Sequence, residues 1–114
     1  MNSVESILLG LTTPGPGRSE EFLRWYSEKH IPELLSLGVF SDAELYRFDV
    51  SLGEAHYGYA AIYTVSSEDP QTAKGELANG RSDGRVTPPP QGLYRENAQA
   101  WWGIRTLGSA REHR

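Results

Sequence analysis

The stretch DAELYRFDV (42–50), SLGEA (51–55), HYGYAAIYTV (56–65) reads as two strands joined by a hairpin loop of ordinary length. The second strand alternates. Tyr57, Tyr59, Ala61, Tyr63 and Val65 share one face, and His56, Gly58, Ala60, Ile62 and Thr64 share the other. Neither set is strongly charged, which predicts that both faces are at least partly covered. What flanks the hairpin then decides the fold.

Upstream, Phe22, Tyr26, His30 and Leu34 recur every four residues with Trp25 beside them, the pattern of an amphipathic helix. Ser19 suits the N-cap, Glu20 and Glu21 the positive end of the helix dipole, and Gly38 the stop. Pro32 has no N–H to give the Glu28 carbonyl, and it disfavours helical angles at Ile31, so a kink or restart is expected at His30–Ile31. Before the helix, VESILLGL (4–11) reads as a strand that ends at the turn signal TTPGPG (12–17).

Downstream, Ser67 or Asp69 caps a weaker helix with Pro70 in its first turn and only Ala73, Leu77 and Ala78 as apolar residues. The Gly/Pro-rich stretch 79–92 reads as a long loop and is expected to be the most mobile internal segment. Residues 93–107 form the last strand, and 108–114 a disordered tail. The order is therefore β-α-β-β-α-β. It predicts an α+β, ferredoxin-like single domain over residues 1–107, a four-stranded antiparallel sheet with two helices on one face. The other face needs cover as well, and a second copy of the chain is the expected cover, giving a homodimer.

The bulk numbers narrow the function. A chain of 114 residues fits one domain. Its net charge of -4 argues against nucleic acid, which needs a basic face. The absence of cysteine excludes disulfides, thiolate metal sites and thiol nucleophiles, and fits a reducing compartment. No apolar run is long enough to span a bilayer, so a soluble cytoplasmic protein without membrane partners is expected. His30, His56 and His113 show neither HxH nor HExxH spacing, so no metal site is expected. Patterns for a nucleotide cofactor or a serine nucleophile are also missing, and a cofactor-free protein is expected.

Trp25, Tyr26, His30, Ile31 and Pro32, then Gly38 and the strand residues Leu45 to Phe48, resemble the dimeric α+β barrel superfamily, in particular its EthD-like branch. That superfamily includes cofactor-independent monooxygenases of aromatic polyketides, polyketide cyclases and isomerases. The resemblance implies a dimer with a ligand held in each protomer between helices and sheet. It does not choose the reaction.

Within that frame His30 is the candidate general base. It follows Tyr26 by one turn on the inward stripe, and an unperturbed imidazole titrates near neutrality. The plainer reading is a histidine that satisfies carbonyls freed by Pro32. Tyr26 or Tyr46 is the candidate donor to a developing enolate or phenolate. Trp25, Arg47, Asn97, Trp101 and Trp102 are the candidate substrate contacts. Against this, Arg47 has Asp42, Glu44 and Asp49 nearby for a structural ion pair, and the aromatics serve cores more often than pockets. The expected partner is a hydrophobic or aromatic small molecule. The expected function is a cofactor-independent cyclase, isomerase or monooxygenase; the alternative is a non-catalytic ligand-binding dimer of the same fold.

Overall fold

The computed structural model describes residues 5–48, 57–66, 69–95 and 98–106. Strands β1 (Ser6–Thr12), β2 (Phe40–Arg47), β3 (Tyr59–Val65) and β4 (Gln99–Ile104) form one antiparallel sheet in the order β2-β3-β1-β4. Between β1 and β2 run α1 (Ser19–Trp25), a π-helical turn (Tyr26–His30) and α2 (Ile31–Ser36); α3 (Pro70–Asp83) joins β3 to β4. This is the ferredoxin-like α+β fold expected from the hairpin outward. The hairpin loop, His56, Ser67, Asn97 and the tail with His113 lie outside the described residues.

Strand register sorts the side chains into two faces. Leu8 aligns with Tyr63 and Trp102, Gly10 with Ala61 and Ala100, and Thr12 with Tyr59. This inner face packs on Phe22, Trp25, Tyr26 and Leu34, and on Ala73 and Leu77 of α3. The other face carries Ile7, Leu9, Leu11 and Ile62, with Trp101 58% and Tyr46 51% exposed. Asp42 and Glu44 align with Thr64 and Ile62 on that same face, so it is not free of charge, contrary to the reading from β3 alone.

Pro32 does not break the helix. Ile31 stays helical at φ -61° and ψ -48°, and its N–H reaches back five residues to the Tyr26 carbonyl. The expected kink is replaced by a widened turn, a common home for functional residues. The helix also starts without a side-chain cap. Arg18, not Ser19, is the N-cap residue, and Ser19 is already helical. At α3 the cap is as expected, with Asp69 accepting from the Gln71 N–H at 3.0 Å.

The segment 79–92 departs most from expectation. Its first five residues complete α3, because nothing in their sequence forbids helix until Gly84, which takes φ +88°. The rest is a strap tied at both ends. Thr87 N–H and Oγ1 donate to the two oxygens of Glu33 at 2.8 and 2.9 Å. Arg18 Nη1 donates to the Gln91 carbonyl at 2.7 Å, and Gly15 N–H to the Leu93 carbonyl at 2.8 Å. Val86 and Leu93 are buried and anchor it in the core. The far crossing needs glycine: a Cβ on Gly15 would collide with the Gly92 carbonyl, and Gly92 itself sits at φ +78°.

Candidate functional site

The inner face of the sheet has a gap in its middle. Leu8 fills one end, but Gly10 and Ala100 offer almost no side chain, and a Cβ built on Gly10 meets nothing within 4 Å. The helices bridge this gap instead of filling it. The result is a cavity of about 430 Å³, floored by β1 and β4, walled by Tyr26, His30, Leu34, Tyr63 and Tyr94, and rimmed by Arg81 and the strap residues Thr87, Pro88 and Pro89. That volume lies in the range of small-molecule sites.

The π turn aims His30. In a regular α-helix, residues five apart point about 140° away from each other. Here Trp25 and His30 stack, with ring centroids 4.7 Å apart and planes 17° from parallel. Tyr26 meets the imidazole edge-on at 4.8 Å and Tyr63 at 6.3 Å. His30 Nδ1 is out of water with no hydrogen-bond partner, and so is the Tyr63 hydroxyl. Buried polar atoms of native proteins are nearly always paired, so two orphans on neighbouring side chains need a reason.

Electrostatics keep this wall neutral. Burial, assisted by the positive charge of Arg81 and opposed by Glu33, pushes His30 down to about 4. Burial likewise raises the hydroxyls of Tyr26, Tyr63 and Tyr94. The Tyr94 and Thr12 hydroxyls flank that of Tyr26 and partly offset its shift. At neutral pH the wall therefore presents an uncharged imidazole and three phenols. Desolvation works against the Glu33 carboxylate, but the Thr87 bonds and Lys29, at 3.3 Å, outweigh it and hold Glu33 ionised.

Two of the residues expected from sequence, His30 and Tyr26, meet in this cavity. Trp25 stands behind His30 as a support and does not line the cavity. Tyr46 and Trp101 lie on the opposite face of the sheet, because the strand alternation turns both outward. Trp102 faces inward but stacks on Phe40 at 6.2 Å with the Lys74 ammonium 5.9 Å from its ring, away from the cavity. Arg47 ends the edge strand β2, exposed, opposite Tyr59. Tyr63, Tyr94, Thr12, Gly10 and Arg81 were not singled out from sequence. Gly10 inside an otherwise strong strand was the one signal available, since an interior strand glycine often marks a close approach or a gap. Among the described residues, no three His, Asp or Glu side chains are grouped to hold a metal ion, and no helix is long and apolar enough to cross a membrane.

Comparison with known proteins agrees with the fold. The family model described as "Domain of unknown function (DUF4286)" matches residues 16–73. No curated protein matches the sequence. Among solved structures, a dimeric ferredoxin-like protein of unknown function from Thermobifida fusca is similar over 92% of this chain and 94% of its own, at 14% identity and a TM-score of 0.51. An ethyl tert-butyl ether D (EthD) family protein from Bacillus halodurans is similar over 88% and 96%, at 15% identity and a TM-score of 0.52. A monooxygenase of Streptomyces coelicolor, ActVA-Orf6, in complex with nanaomycin D, is similar over 94% and 91%, at 13% identity and a TM-score of 0.55. At these identities the likeness is one of fold, the ferredoxin-like α+β fold described above.

Proposed function

We propose that this chain, which belongs to the DUF4286 family, is a small cofactor-independent enzyme that takes a proton from an aromatic or polyketide-like molecule, with His30 as the base. One observation carries the reading: His30 and Tyr63 line one partly open cavity, and His30 Nδ1 and the Tyr63 hydroxyl are buried and unpartnered. Leaving such groups unsatisfied costs about 1–3 kcal/mol each, a cost removed when a ligand supplies the missing partners. The aromatic walls suit a planar, conjugated body.

The step is deprotonation. A C–H bond α to a carbonyl breaks, the proton goes to the imidazole, and the electron pair moves onto the carbonyl oxygen. For a phenol, the O–H bond breaks in the same way. The Tyr63 or Tyr26 hydroxyl donates to the oxyanion that forms. Burial makes these hydroxyls weak acids, so they donate a hydrogen bond without surrendering the proton. The resulting enolate or phenolate leads on to isomerisation or cyclisation, or to oxygenation when dioxygen is the second substrate. The ligand named for the Streptomyces monooxygenase, nanaomycin D, supports an aromatic polyketide class.

A second reading rests on the low basicity of His30. A base held at about 4 is weak, and the same pocket then serves binding without turnover. Titration calorimetry with nanaomycin D and simpler naphthoquinones, followed by mass analysis of the recovered ligand, separates the two. Binding is expected for the wild type. Gly10→Leu, which fills the floor where there is free space, is expected to fold and to lose at least ~10-fold in affinity, in line with cavity sites built on shape. Undiminished binding to this variant would place the ligand elsewhere and overturn the assignment.

We also infer a homodimer formed through the outer face of the sheet, where Ile7, Leu9, Leu11, Ile62 and Trp101 gather. A stable interface of that kind buries more than roughly 1,000 Å². Sedimentation at micromolar concentration is expected to give the mass of two chains, and a one-chain mass would refute the inference.

A further inference from the structure

We propose that Arg81 is the anion-recognition residue of the cavity, and that the ligand is a planar aromatic molecule carrying a carboxylate at the end that faces the strap. The proposal rests on the aromatic-ligand reading above and adds the charge of the ligand and the residue that reads it.

The first support is the position of Arg81. Ala73 and Leu77 form the inward stripe of α3, buried at 0% and 4% exposure. Gly80 is the third buried residue of that stripe, and Arg81 stands next to it at the exposed edge. Its side chain lines the cavity together with Thr87 and Tyr94. Its charge is felt inside, since it weakens protonation of His30 and eases ionisation of Tyr94.

The second support is the shortage of counter-charge. No Asp or Glu lines the cavity among the described residues, and Arg81 is its one permanently charged wall group. This occurs in a chain whose net charge is -4, so a lone cation on the rim is not a by-product of a basic surface. The nearby acids are already engaged. Arg85 pairs with Glu76 at 2.8 Å and with Asp83 at 2.9 Å, and Glu33 is held by Thr87 and Lys29. Arg81 makes none of these bonds. An arginine in the last turn of a helix does suit the dipole, but that needs no approach to a cavity. A guanidinium beside an apolar, partly dehydrated space is suited to bidentate capture of a planar carboxylate.

The test compares 1-hydroxy-2-naphthoic acid with its methyl ester by calorimetry on the full chain, for the wild type, Arg81→Gln and Arg81→Lys. The wild type is expected to bind the acid at least ~10-fold tighter than the ester, the contribution of a charge-assisted bond. Arg81→Gln is expected to erase that preference through weaker binding of the acid, and Arg81→Lys to retain part of it. The residue is exposed, so a thermal melt should show all three proteins folded alike. Equal binding of acid and ester by the wild type, or a preference that survives in Arg81→Gln, would overturn the role of Arg81 and leave the aromatic-ligand reading intact. Failure of both compounds to bind the wild type would overturn both.

Discussion

His30→Ala is expected to leave a folded protein that loses turnover by about 10²–10⁴-fold and no longer loses stability between pH 6.5 and pH 4. The two effects have one origin. His30 is surrounded by the Trp25, Tyr26 and Tyr63 rings, with Arg81 on α3 disfavouring its protonation and Glu33 on α2 opposing that with a smaller effect. Its pKa falls from 6.5 to about 4 on folding. Between these values the unfolded chain binds the proton and the folded chain does not, so stability rises with pH across the window. The contribution lost in going from neutral pH to below about 4 is on the order of 3 kcal/mol, taking about 1.4 kcal/mol per pKa unit. Urea titrations at pH 7 and pH 4.5, for wild type and variant at one protomer concentration, measure it. If the variant retains the full acid sensitivity, the histidine is not the buried neutral group described here. For catalysis the same shift means that kcat/KM should stay level from high pH down to about 5, because His30 remains unprotonated. A limb near 6.5 would point to another base.

Phe22→Ala is expected to cost about 3–5 kcal/mol, the range for removing a buried phenylalanine. Phe22 is fully buried and lies at the centre of an aromatic group, 4.8 Å from the rings of both Tyr26 and Tyr59 and 5.8 Å from that of Tyr94. It thus ties α1 to β3 and to the end of the strap. Two of its neighbours, Tyr26 and Tyr94, are walls of the cavity, so the substitution should also weaken ligand binding at a distance. Phe22→Leu, which keeps most of the volume, should cost under about 1.5 kcal/mol. A loss below 1 kcal/mol for the alanine variant would show that this cluster does not hold the helix to the sheet.

Much of the architecture was legible because it is local. The period-two alternation of β3 and the four-residue recurrence of Phe22, Tyr26, His30 and Leu34 are consequences of strand and helix geometry, and any structure containing them must bury those faces. Asp69 and Pro70 signalled the start of α3 for an equally local reason. The strap was misread for the converse reason. Its Gly and Pro content describes its own backbone freedom, whereas its order comes from Glu33, Arg18 and Gly15, each at least 54 residues away in sequence. Pro32 was half legible: the missing N–H was certain, but whether the helix breaks or widens depends on what packs around it.

For the site, the sequence by itself determined that His30 and Tyr26 share the inward stripe of a helix laid on a sheet, because side chains four apart point one way. Only the tertiary structure decided which other residues join them. Tyr46 and Trp101 turn to the far face by the parity of strand register, a one-residue matter that aromatic content does not settle. Tyr63, Tyr94 and Arg81 reach the cavity from three separate elements that the fold brings together. The basicity of His30 was likewise out of reach from sequence. An imidazole near 6.5 in water is drawn down to about 4 by burial and by Arg81, both of which exist only once the helices close over the gap above Gly10.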